Sequence, residues 1–402
     1  MLVQKSVKVR LYPRESDKEL LAKHFGVRRF IYNKFLEIKQ SAYFDNKQSI
    51  GYNACSAIVT KMKKNPEYEW LKEVNSQTIQ AALKDLDRAY DRFFRKIAKF
   101  PKFKAKHNSN QSFKVPQHFN IDWESRTLKI PKFKTPFKFK GEYTSKLVKM
   151  NSVTISKNAS GKYFASIQGE FEIDQKPSTG EVIGVDLGIK SLLIDSNGAE
   201  IKNGLFLKKN LMKLKYLHRQ HSKKKKSTKS REKARVKLAR QYQKVTNQRN
   251  NYLHQVSSKL IDDNQVIVLE DLAVKNMIKN HKLAQAISDV SWGNLVSMLK
   301  YKAIWYDRRL IQIDRWYPSS KTCNSCNHLM SEMDLSIREW TCPSCNEQHD
   351  RDINAAKNIL RQGLNIMSGL GTKSDFKQKP KEAPVMLAGS MSSENTQSLV
   401  VY

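Results

Sequence analysis

Four of the five cysteines stand in two C-x-x-C pairs, Cys323/Cys326 and Cys342/Cys345, with 15 residues between the pairs. Each such turn brings two sulfurs together. Four thiolates at about 2.3 Å complete a tetrahedron around zinc and leave no open position for a substrate. The spacing therefore predicts one structural Zn²⁺, since a dithiol redox site would need a single pair. His328 and His349 lie close by as spare ligands. The fifth cysteine, Cys55 in YNACSAIV, reads as a small core residue of a helix.

A second set of residues is acidic. Asp186 closes the apolar run VIGVD, Glu270 closes VIVLE, and Asp350 and Asp352 precede the helical stretch DINAAKNI. A carboxylate flanked by such runs is partly buried, which is costly unless a cation or hydrogen-bond donors receive its charge. Two or three carboxylates converging from strand ends and a helix start could hold two Mg²⁺ ions about 3.5–4 Å apart, an arrangement suited to phosphodiester hydrolysis. Each residue also has a plainer reading. Asp350 or Asp352 could cap a helix, Asp186 could serve a turn ahead of Gly188, and Glu270 could pair with a lysine.

The elements that would position these groups follow from periodicity. Residues Lys5 to Tyr12 alternate as a half-buried strand that Pro13 stops, and from Ser16 to about Lys99 apolar residues recur at helical spacing. Short segments rich in β-branched and aromatic residues come next, SFKVPQ, RTLKIPKF, KLVKMNSVTISK and KYFASIQGEFEI. They read as four or more antiparallel strands that the N-terminal strand joins in a small barrel split by the helices. Pro177 to Gly180 mark a linker. Beyond it, strands EVIGVD, QVIVLED and LIQID alternate with helical stretches, including a long arm from Leu205 to about Ile261 interrupted near Ser227 to Ser230. That alternation predicts a mixed α/β domain. The short strand REWT leads into the second cysteine turn. From Gly371 the tail reads as disordered.

GVDLGIK around Asp186, VLEDL around Glu270, the SWG helix from Ser291, YPSSKTC before the first cysteine pair, HDRDINAAKNI, RFIYNKF and FPKFK together resemble the TnpB proteins of insertion sequences. These are RNA-guided DNA endonucleases related to the type V CRISPR effector nucleases. The resemblance implies a multidomain α+β chain. In it, a RuvC-like, RNase H-fold nuclease domain (180–370) carries an inserted zinc ribbon (318–348). A wedge-like β-barrel (1–13 and 108–176) is interrupted by a helical recognition bundle (14–107), and 371–402 form a tail. The catalytic, Mg²⁺-binding carboxylates would be Asp186, Glu270 and Asp352. Asp352 is preferred to Asp350 by the D-x-N-A-A register, although either could cap the helix. The resemblance also implies a guide RNA from the protein's own element, a target DNA duplex bearing a short adjacent motif, and hydrolysis by water that leaves a 3′-hydroxyl. A transposase that attacks with a DNA 3′-hydroxyl, or a non-catalytic RNA-guided repressor, are the alternatives.

Charge agrees with such partners. The chain of 402 residues carries 73 Lys+Arg against 38 Asp+Glu, a formal net charge of +35. A surplus of this size is tolerable mainly beside a polyanion. Between Lys208 and Arg240 there are 15 Lys/Arg and one acid, Glu232, so this stretch lacks the alternating signs of a self-compensating helix face and suits phosphates. FPKFKAK and PKFKTPFKFK interleave Phe with Lys, a pattern that fits either base stacking or strand-core rings with outward lysines. Gln77 and Gln80 could reach base edges but read better as surface residues. No apolar run is long enough to span a membrane and no export leader is evident, so a cytoplasmic protein is expected. Monomer against dimer stays open, with monomer slightly favoured.

Overall fold

The computed structural model describes residues 1–106, 110–141, 146–334 and 336–369. The tail expected to be disordered, 371–402, lies outside the described residues. The described residues form two compact units, one from Leu2 to Glu172 and the other from Ile173 to Gly369 together with Met1.

In the first unit, strand β1 (Leu2–Tyr12) ends at Pro13 and is followed by α1 (Glu15–Asn46), α2 (Tyr52–Met62), a 3-10 helix (Pro66–Glu73) and α3 (Ser76–Phe94). Asn65 and Asn75 cap the last two, each side-chain oxygen accepting an amide N–H at 3.0 Å. The bundle core joins Ile31, Phe35 and Leu36 of α1 to Cys55 and Val59 of α2 and Ile79 and Leu86 of α3. Cys55 is thus a buried helix residue. Strands β2 (Gln111–Val115), β3 (Asn120–Asp122), β4 (Thr127–Lys129), β5 (Phe137–Lys140), β6 (Lys146–Lys157) and β7 (Tyr163–Glu172) pair with β1 in an antiparallel sheet ordered β2-β6-β7-β1-β5-β4-β3.

All seven strands, with Leu21 and Phe25 of α1, feed one apolar cluster, so the sheet curls around its core. Its edge strands β2 and β3 do not pair with each other. The expected barrel is therefore a curled sheet left open at one seam, where Pro116 directly after β2 has no N–H to offer a ladder.

In the second unit the order is β8 (Val182–Asp186), β9 (Ser191–Asp195), β10 (Glu200–Lys202), α4 (Phe206–Ser222), α5 (Lys229–Asp263), β11 (Val266–Glu270), α6 (Val274–Met277), α7 (Ala284–Val290), α8 (Trp292–Trp305), β12 (Arg309–Ile313), β13 (Glu339–Thr341), β14 (Gln348–Asp350) and α9 (Arg351–Met367). The five-stranded sheet runs β10-β9-β8-β11-β12, with β8, β11 and β12 parallel and the hairpins on β9 antiparallel. Ile267 and Leu269 of β11 pack with α5 and α8, while Val266 and Val268 pack with Ile359 of α9. Both faces are covered, which is why VIVLE reads as an unbroken apolar run. The α4–α5 arm breaks at residues 223–228. Thr228 caps α5 and the Arg231 guanidinium donates to the carbonyls of His221 and Lys224. Its root is held by Asp289, whose carboxylate accepts the N–H groups of Leu207 and Lys208 and pairs with Arg249.

Candidate active site

Asp186 and Glu270 leave the carboxyl ends of neighbouring parallel strands at the same level, because Leu269 is in register with Val185. Asp352 comes from the first turn of α9. The capping role belongs to Asp350, whose Oδ1 accepts the amides of Asp352 and Ile353 at 2.9 Å. That leaves the Asp352 carboxylate to face the cavity. Helix α9 reaches its place because two glycines admit it. A Cβ on Gly184 would lie 2.2 Å from the Ala356 carbonyl oxygen, and one on Gly363 would lie 2.4 Å from the Val268 side chain.

The three carboxylates line one cavity of about 340 Å³ together with Ser319, Arg338 and Arg351. Burial first, and then the charges of Glu270 and Asp352, push the Asp186 carboxyl up to about 7, against the pull of the Leu187 amide and Arg351. Burial also raises Glu270, opposed by the Ser319 hydroxyl that donates to its Oε1. Oxygen donors and like charges lining one cavity suit hard divalent cations such as Mg²⁺ by their chemistry, while among the described residues only the four cysteines lie close enough together to share one ion as they stand. Asp352 is meanwhile held by Arg338, whose Nη1 donates to both of its oxygens at 3.0 and 3.1 Å.

Ser319, Arg338, Asn354 and Asn358 were not singled out by their types or spacing. Asn354 and Asn358 are buried one turn apart on α9 and donate to the Thr322 carbonyl at 2.8 and 2.6 Å. Asn358 also donates to the Ser319 carbonyl at 2.8 Å. They lock the loop that carries Ser319 against α9, and their i, i+4 spacing in NAAKN was the available signal.

The four cysteines converge. Their sulfurs all lie within 4.8 Å of one another, with Cys323 to Cys345 at 3.7 Å and Cys326 to Cys342 at 3.6 Å. The edge of a tetrahedron with bonds of about 2.3 Å is about 3.8 Å, so the set fits one Zn²⁺. Each turn continues into an asparagine in the left-handed region, Asn327 and Asn346, a conformation that asparagine tolerates. His349 is not a fifth member of the set; its Nε2 lies 3.0 Å from Cys323 Sγ, as a hydrogen-bond partner of that sulfur. The β13–β14 hairpin carries Cys342 and Cys345 between its strands, and β14 runs directly into α9.

Among the other candidates, Gln77 Oε1 accepts the Gln117 amide at 3.2 Å, and Gln80 is exposed. In the turn of the α4–α5 arm, Lys223 to Lys226 make no ion pair among the described residues.

A curled antiparallel sheet with a helical bundle, and an α/β unit with a carboxylate cavity and a four-sulfur cluster compatible with zinc, define a class of strongly basic, multi-unit proteins. Three family profiles match the chain: "Helix-turn-helix domain" of the IS605 OrfB type over residues 1–48, "Probable transposase" of the same type over 164–281, and "Cas12f1-like, TNB domain" over 292–359. Residues 1–48 form β1 and one long helix rather than two helices joined by a turn. The chain is 38% identical to a "Putative RNA-guided DNA endonuclease" of Streptomyces pristinaespiralis over 90% of either chain. It is 31% identical to "Putative RNA-guided DNA endonuclease InsQ" of Escherichia coli K12, over 89% of this chain and 92% of that one. A solved chain from "Cryo-EM structure of the Cas12f1-sgRNA-target DNA complex" is similar at TM-score 0.45 and 14% identity, covering 89% of this chain and 98% of that one. The chain belongs to the TnpB family of insertion-sequence proteins.

Proposed function

We propose that the chain is an RNA-guided, metal-dependent DNA endonuclease of a transposable element, which binds a guide RNA and cleaves duplex DNA next to a short adjacent motif. The observation that carries this reading is the convergence of Asp186, Glu270 and Asp352 on one cavity of a strongly basic chain. The names of the full-length relatives support it. Residues 180–370 would be a RuvC-like nuclease domain with a zinc ribbon at 318–348. Residues 1–13 and 108–176 would serve as the wedge, and 14–107 as the recognition bundle. Base pairing would read the target, while protein contacts would read the adjacent motif and the shape of the heteroduplex. Nothing in the described helices is long and apolar enough to cross a membrane, and the reading places the protein where DNA is, in the cytoplasm.

Asp186, Glu270 and Asp352 would hold two Mg²⁺ ions, which when bound supply the positive charge that phosphodiester hydrolysis demands. The chain's own groups prepare that site. Ser319 holds one oxygen of Glu270 and leaves the other to a cation. Asn354 and Asn358 keep the Ser319 loop in place. Arg338 neutralises Asp352, and its guanidinium is the cavity-lining cation with the geometry to accept a phosphate once that carboxylate turns away. Arg351 and Lys190 add positive charge at the rim. The cysteine cluster stays apart from the chemistry, with every sulfur committed to the fold.

Two measurements test the reading. RNA that co-purifies with the full chain is sequenced, and a defined species from the end of the element is expected. Asp186→Ala should then abolish cleavage of matched DNA while that RNA still co-purifies. Undiminished cutting by Asp186→Ala would remove the proposed active site, and joined rather than cleaved DNA would point to strand transfer instead.

A further inference from the structure

The two Phe/Lys stretches of the sequence have different fates. Phe133, Phe137 and Phe139 are buried in the curled sheet with their lysines outward, so that stretch is core. Phe94, Ile97, Phe100 and Phe103 are instead 71%, 63%, 40% and 57% exposed. Tyr90 stacks on Phe94 at 6.1 Å and meets Phe100 edge-on at 5.7 Å, and Phe93 meets Phe100 at 5.2 Å. Tyr90, Phe93, Phe94 and Phe100 thus form one ledge at the end of α3, and the exposed Phe103 follows three residues after Phe100. A contiguous exposed patch of this kind marks a binding surface more often than a solitary ring does.

The ledge is also anchored. After α3, the amides of Ile97 and Ala98 turn back onto the Arg92 carbonyl, with Lys96 in the left-handed region. Farther on, Pro101 is buried. Asn33 of α1 then grips Lys104 from both sides, its Nδ2 donating to the carbonyl at 3.0 Å and its Oδ1 accepting the amide at 2.7 Å. The Lys104 ammonium lies 4.8 Å from the centre of the Tyr32 ring. The segment is tied down along its length, yet its phenylalanines point outward.

Charge identifies the occupant. Residues 88–106 contain eight Lys/Arg and one acid, Asp91. Arg92, Arg95, Lys96, Lys99 and Lys102 make no ion pair among the described residues. An apolar protein partner would bury these cations without counter-charges. A duplex would offer phosphates but no base faces to the rings. Unpaired nucleotides offer both. We propose that Phe94, Phe100 and Phe103 stack unpaired bases of the bound RNA while Arg92, Arg95 and Lys99 contact its phosphates. RNA is the choice because its loops and ends present free bases continuously, whereas target DNA stays paired until opened. The proposal rests on the reading that the chain carries an RNA.

The test uses the full chain with fluorescent 20-nucleotide oligouridine and an RNA duplex of equal length. Phe94→Leu/Phe100→Leu/Phe103→Leu keeps apolar volume but removes the rings. It should weaken oligouridine binding about 10-fold or more, leaving duplex binding and the salt dependence unchanged. Arg95→Gln/Lys99→Gln should weaken both and flatten the salt dependence. Ultraviolet cross-linking of the unaltered, RNA-bearing chain, which needs no variant to fold, should place RNA adducts within residues 90–104. Wild-type oligouridine affinity in the leucine variant, or adducts there only with a displaced DNA strand, overturns the proposal. Guided cleavage without adducts on the ledge overturns it too, while leaving the endonuclease reading intact. Absence of any defined co-purifying RNA strikes the endonuclease reading itself.

Discussion

Asp186 sits where its own charge is unwelcome, half-buried and beside two other carboxylates. Without divalent metal this repulsion subtracts from stability, so Asp186→Asn should raise the metal-free melting temperature, by about 2–4 °C for each kcal/mol relieved. Millimolar Mg²⁺ should raise the midpoint of the unaltered chain and leave that of the variant nearly unmoved, which differential scanning fluorimetry can measure. Lys302 offers a second residue-level check. Its ammonium is buried against the His254 carbonyl and the hydroxyls of Ser257 and Ser258, and burial lowers it to about 8. In the unfolded chain it returns toward 10.5. Between those values the unfolded state binds the extra proton, so this residue makes stability rise as pH climbs from about 8 to 10.5. Denaturant titrations across that window should show the rise, and Lys302→Met should flatten it.

At the scale of elements, α9 matters most, because it carries Asp352 and packs without space for even one methyl group at two points. Gly184→Ala sets a carbon against the Ala356 carbonyl and should cost about 1–3 kcal/mol. The same substitution at Gly293, where nothing lies within 4 Å of the added carbon, should be neutral or slightly stabilising. Chemical denaturation distinguishes the pair, and a DNA-cleavage assay should show a loss only for Gly184→Ala. The cysteine-bearing hairpin is coupled to the same helix through β14. Cys323→Ser should lower bound zinc well below one equivalent by metal analysis and reduce the yield of folded protein, because metal binding is part of the folding free energy. The individual elements were largely legible. Alternation marked β1, the break near Ser227 marked the turn between α4 and α5, and REWT marked β13. The open seam between β2 and β3 was not, since strand patterning shows which face is buried but not whether the last strand meets the first.

For the whole molecule, the surplus of +35 is distributed over named surfaces. Lys223 to Lys226 form the tip of the α4–α5 arm and make no ion pair among the described residues. Changing all four to Gln should reduce the steepness of RNA affinity against log salt by about 0.7–0.9 for each phosphate that the arm no longer neutralises, with little change in melting temperature. Anisotropy titrations at several salt concentrations give that slope. An unchanged slope would mean that the arm is merely solvated.

By itself, the sequence determined which residues could do chemistry. Cysteine spacing specified a four-sulfur site, because two short turns must each present two thiolates. Apolar runs ending in Asp186 and Glu270 specified acids at strand ends, because a strand buried on both faces meets solvent only where it stops. Only the tertiary structure decided which of Asp350 and Asp352 caps α9, since both fit a helix start and just one accepts the first free amides. It also separated two Phe/Lys stretches that read alike, one packed inside the curled sheet and the other exposed. Arg338 on Asp352 and Ser319 on Glu270 join residues 14 and 49 positions apart. No local pattern encodes such pairings, because the packing of α9 and the loop before the first cysteines creates them.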